Sequence, residues 1–168
     1  MKSDKEKLIS WLESCGIIFI FCECFSKLDR TFDKSFLNQL QFAPFSPDVA
    51  VVWSRKIILA TKKASWPAIL HEAGHILCSN VPPDKCDDEF CFFGWERAVV
   101  KHLKLSMSEW LKDNADYCID FRDEDKTFET IKDIQDIQTS KKRFYSEILQ
   151  IAYEHNFVTM DGKPLIAA

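Results

Sequence analysis

The chain has 168 residues, 46% of them hydrophobic and 29% charged, with a formal net charge of −4. That length supports one ordinary hydrophobic core, so a single domain over residues 1–168 is expected, and the acidic balance excludes a basic nucleic-acid footprint. The segment from Lys112 to Gln138 holds nine acidic and four basic residues, a net of −5, which leaves the remainder near neutral. The longest apolar run, Gly16 to Cys22, is far below the roughly 18 residues a membrane span needs. Asp4, Glu6 and Glu13 precede that run and Glu23 follows it, against the pattern of a secretory leader. Seven cysteines (15, 22, 24, 78, 86, 91 and 118) are an odd number without a repeating spacing. A reduced state and a cytoplasmic location are therefore expected.

In chain order, Leu8, Trp11, Leu12 and Cys15 fall at helical spacing behind the capping residues Ser3 and Asp4, predicting an opening helix up to Gly16. "IIFIFCECF" reads as a buried strand, Thr31 to Leu40 as a short helix, and "APFSPD" as a proline-marked loop. "VAVVWSRKIILA" has two β-rich runs around a polar centre and predicts a hairpin. A helix from about Trp66 through Ser79 follows, then the loop "NVPPDKCDDE". Helices are expected near 93–105, 108–119, 127–138 and 141–155, the second opened by Ser106 or Ser108. The terminal "VTMDGKPLI" suggests a tight Asp-Gly turn between two short strands. The fold class is α+β: predominantly helical, with a small antiparallel sheet beside the 66–79 helix.

That helix carries "HEAGH". On a helical wheel Trp66, Ile69, Leu70, Ala73, Ile76 and Leu77 gather on an arc of roughly 120°. His71 and His75 lie on the opposite side with Cys78 on their stripe, and Glu72 a quarter-turn away. Residues four apart on a helix are about 5–6 Å apart at Cβ, from which two imidazoles can converge on one ion such as Zn²⁺. Glu72 would then point beside the metal, where it can take a proton from water. A solvated helix face bearing two histidines is the plainer explanation.

A third ligand decides between them. "CFFGWERAVVKHL" supplies Glu96, twenty-one residues after His75, flanked at helical spacing by Phe92, Phe93, Val99, Val100 and Leu103. A carboxylate in an apolar stripe requires a partner, either a dication or a lysine or arginine. Cys78 is a weaker candidate because it shares the histidines' helix. Cys86 and Cys91 flank an acidic loop and could join Cys78 in a second, structural site, and His102 is a further possibility near Glu96.

"HEAGH" followed at this distance by a helical Glu resembles the gluzincin class of zinc metallopeptidases, most closely the compact minigluzincin and ImmA/IrrE-like members. The resemblance covers roughly Val49 to Leu103, about a third of the chain. It implies a zincin-like fold, His71, His75 and Glu96 as zinc ligands, and Glu72 as general base. It also implies that one strand of the 49–60 hairpin is an edge strand receiving the substrate backbone by β-strand addition. Two features depart from the family pattern. No motif marks the oxyanion-steadying tyrosine or histidine, for which His102, Tyr117, Tyr145 and Tyr153 are the candidates, and the acidic residue usual four positions after the glutamate ligand is Val100.

The reaction these features imply is hydrolysis of a peptide bond by metal-activated water, with a peptide or a protein, such as a single regulator, as substrate. Two other readings remain. One is a catalytically silent, zinc-stabilised interaction domain, phage-borne or regulatory, docking through its acidic 112–138 segment. The other is a zinc-free helical binding protein.

Overall fold

A computed structural model describes residues 1–43, 46–78, 90–113 and 148–166. The loop expected at 80–89, the helix expected at 127–138, residues 114–119 of that expected at 108–119 and 141–147 of that expected at 141–155, and Cys86, Tyr117 and Tyr145 lie outside the described residues, as does most of the acidic 112–138 segment. The chain divides into two compact units, Met1–Ser79 and Asn80–Ile166.

The first unit is α+β. Helix α1 (Asp4–Ser14) opens with a capping box, in which Glu6 N donates to Ser3 Oγ while Ser3 N donates to Glu6 Oε2. It closes where Gly16 takes a left-handed φ of 93°, so that Ile17 N reaches Leu12 O and Gly16 N reaches Glu13 O. These paired bonds satisfy carbonyls that a helix end otherwise leaves bare. Leu8 and Leu12 bury the inner face.

Strand β1 (Ile18–Cys22) runs parallel to β4 (Ile57–Thr61), which pairs antiparallel with β3 (Val49–Val52), itself paired antiparallel with β2 (Gln41–Phe42). The sheet order is β1-β4-β3-β2. The sheet is therefore mixed rather than antiparallel. The expected hairpin is present, its strands joined by the 3-10 turn Trp53–Arg55 and by Lys56 at a left-handed φ of 53°. Two positions differ from expectation. The strand expected to be buried, β1, is an edge strand with Ile18 55% and Phe21 50% exposed. Conversely, both hairpin strands are interior, since β1 covers β4 and β2 covers β3, so neither is the free edge that the resemblance implied.

Alternation along the hairpin divides its side chains between two faces. Ala50, Val52, Ile57 and Leu59 pack with Leu28 and Leu40 in one cluster, joined by Phe25, Phe32, Phe36 and Leu37 from the segment after β1. That segment forms a 3-10 turn (Phe25–Arg30) and a single-turn helix α2 (Lys34–Leu37) in place of the longer helix expected over 31–40. Asp33 is the reason for the late start, because its carboxylate accepts from Phe36 N and caps the helix there. Val49, Val51, Ile58 and Ala60 are also buried, on the opposite face, and helix α3 (Trp66–Leu77) packs on β3 and β4. Ser65 caps α3 by accepting from Ala68 N, and Pro67 sits in the first turn, where no intrahelical N–H is needed.

In the second unit, helix α4 (Phe90–His102) begins and ends about three residues before the expected 93–105. Its end is fixed by Lys104 at a left-handed φ of 54°, with Leu105 N donating to Val100 O and Lys104 N to Lys101 O. Ser106 then caps helix α5 (Met107–Asp113) by accepting from Glu109 N, which selects Ser106 over Ser108. Residues 148–154 are helical and end at Asn156, φ 61°, by the same pair of bonds that closes α1 and α4. A Cβ added to Gly94 of α4 would lie 2.1 Å from the Ile148 carbonyl oxygen, so these two helices approach backbone to backbone there. The expected terminal strand pair is a single bridge, Val158 to Pro164, around a turn closed by Gly162 at φ 78°. No described helix is long and apolar enough to cross a membrane.

Candidate metal centre

Helix α3 is buried almost all round. Of its residues only Ala68, His71 and His75 are partly accessible, a single stripe at spacings of three and four. Glu72 and Gly74, off that stripe, are buried with the apolar residues, Glu72 at 7% exposure. The wheel thus placed the two histidines correctly, while the polar face is narrower than the pattern implied.

The two imidazoles converge. Their Nε2 atoms are 3.2 Å apart, with ring centroids 4.9 Å apart and planes at 85°. Two nitrogens bound to one zinc ion at about 2.0–2.1 Å with tetrahedral angles stand roughly 3.3 Å from each other. The observed separation fits that edge. Burial first, and the neighbouring His71 second, push the His75 pKa down to about 4. His75 is therefore neutral at pH 7, the form in which an imidazole nitrogen binds a cation.

Trp53, on the β3–β4 turn, lies against the pair, its ring centroid 6.2 Å from that of His75 at an interplanar angle of 33°. Nothing in the periodicity of "VAVVWSRKIILA" points to this contact, because it depends on how the hairpin is laid on α3. Cys78 is a buried thiol at the C-cap of α3, one turn beyond His75.

Glu96 belongs to the second unit. It lies on α4 and is fully buried, at 0% exposure, among Phe92, Phe93, Val99 and Val100, as the sequence predicted. Trp110 of α5 donates its indole N–H to Glu96 Oε1 at 3.2 Å. This donor comes from the next helix, and no local pattern around Glu96 announces it. Val100, in the position where the resembled family has an acid, is fully buried. His102 ends α4 and is exposed, and Tyr153 is exposed on the helical 148–154 segment.

No group of three or more His, Cys, Asp and Glu side chains assembled to hold a metal ion occurs among the described residues. The convergent pair on α3 is a two-nitrogen donor set with a buried carboxylate next to it in sequence. Compared with protein-family models, with curated proteins and with solved structures, the chain matches none of them.

Proposed function

We propose that the protein is a gluzincin-type zinc metallopeptidase of zincin-like architecture, acting in the cytoplasm on a peptide or protein substrate. The observation that carries the reading is the 3.2 Å approach of the His71 and His75 Nε2 atoms on a helix otherwise buried. Burial, and secondarily the neighbouring His71, keep His75 neutral, so the pair is held in the form whose ring nitrogens share a hydrogen bond and can bind a cation. Their approach is compatible with a shared ion.

His71 and His75 would hold the ion, and the family resemblance implies Glu96 as the third ligand. Zinc, when bound, supplies Lewis acidity, bringing the ionisation of water near neutral pH and polarising a substrate carbonyl. Glu72 is the base: its carboxylate accepts the proton of the attacking water and delivers it to the departing amine. Trp110 orients Glu96 through the indole hydrogen bond, a task that the family assigns to an acidic residue.

Metal analysis of the purified protein tests the reading without reference to activity. One zinc per chain is expected, lost in His71→Ala and in His75→Ala and retained in Glu72→Gln. Peptide cleavage is expected from the parent and not from Glu72→Gln. A chain that carries no divalent ion in any of these forms overturns the metal centre. A chain that binds zinc but whose parent form cleaves nothing in a broad protein mixture favours the silent interaction domain.

A further inference from the structure

We infer that Trp53 is a specificity-determining residue, forming an aromatic wall that receives a bulky apolar side chain of the substrate beside the bond to be cut. The inference rests on the metallopeptidase reading of His71 and His75 and adds the substrate class.

Hairpin turns are ordinarily polar, built of glycine, asparagine or aspartate. Here the turn begins with a tryptophan that is 41% exposed and whose ring lies 6.2 Å from that of His75. The turn that carries the indole is held at its backbone. Lys56 N donates to Trp53 O at 3.1 Å, Ile18 N donates to Lys56 O at 2.8 Å, and Arg55 lies over the Phe36 ring at 5.9 Å. The turn is thus tied to β1 and to α2, and its 3-10 geometry fixes where Trp53 stands. A half-exposed indole on a tied turn, placed against an imidazole, offers a flat apolar surface, which is how aromatic residues contribute to recognition. Being beside the proposed metal ligand, that surface is within reach of whatever group the ion engages.

The test uses two hydroxamic acids, which chelate zinc through the same atoms and differ only in side chain: acetohydroxamic acid and hydrocinnamohydroxamic acid, the latter bearing a benzyl group. Binding to the zinc-loaded chain is measured by titration calorimetry, with zinc content and thermal midpoint followed for every variant. The parent is expected to prefer the benzyl compound by roughly tenfold, an aromatic contact's worth of affinity. Trp53→Ala is expected to erase that preference with zinc still bound, and Trp53→Phe to keep most of it. A preference that survives Trp53→Ala in a zinc-loaded, folded chain overturns the inference, as does a parent that binds both compounds equally. Absence of zinc from the parent overturns the metal reading itself, and is recognised by the metal analysis alone.

Discussion

Trp110 donates its indole N–H to a carboxylate, Glu96, that no solvent reaches. A hydrogen bond to a charged acceptor contributes about 1.5–3 kcal/mol, and removing the donor leaves the acceptor to bear its desolvation. Trp110→Phe keeps the ring and removes the N–H. Urea unfolding of this variant should show a loss of about 2 kcal/mol. If Glu96 is a metal ligand, zinc affinity should also fall by about 10–100-fold, as is usual when a ligand loses the group that orients it. Unchanged stability together with unchanged zinc affinity would sink the assignment of Trp110 as the orienting residue.

The His71 and His75 pair makes metal removal a stability experiment. A ligand that binds only the folded state stabilises it by about 2.7 kcal/mol at a hundredfold excess over its dissociation constant. Chelation should therefore lower the thermal midpoint by several degrees and zinc should restore it. His71→Ala should be insensitive to both treatments.

With the metal removed, His75 sets a pH dependence. Its pKa is about 4 in the fold, against 6.5 for the ordinary group. Between those values the unfolded chain binds more protons than the folded one, so stability rises with pH. The contribution is fully present above about 6.5 and is lost as pH falls toward 4, up to about 3 kcal/mol in all. Unfolding of the chelated protein between pH 4 and 7 measures it, and His75→Gln should flatten the profile in that window.

Gly94→Ala probes the packing of the second unit. The new methyl carbon would meet the Ile148 carbonyl oxygen at 2.1 Å and the Ala152 side chain at 2.5 Å. Alanine gains about 1 kcal/mol in helix propensity, but overpacking against backbone costs about 1–3 kcal/mol or more. A net loss of at least about 1 kcal/mol is expected in chemical denaturation. An equally stable variant would show that the two helices are free to separate.

Features written in local chemistry were legible in the sequence: the Ser3 and Glu6 capping box, the β-rich runs of the hairpin, and the i, i+4 geometry that lets His71 and His75 converge. Features that depend on distant pairing were not. Alternation cannot say that β1 joins β4 in parallel at a sheet edge, nor that β2 closes off β3, and so the hairpin was wrongly expected to be an edge. The end of α4 was missed because Lys104 adopts a left-handed conformation that glycine or asparagine would have announced. Within the candidate site, Trp53 and Trp110 escaped notice because each reaches its partner from another element.

The parallel pairing of β1 with β4 also sets an order of assembly. Ile18 and Ile57 are register partners 39 positions apart, whereas Val52 and Ile57 meet across one short turn. Closing the long loop costs chain entropy that only a formed hairpin can repay, so the outer strand has nothing to dock on until the inner pair exists. The earliest of the four strands in chain order thus waits for the last of them before it can pair. In that interval Phe19 and Phe21 lack their register partners Ile58 and Ala60.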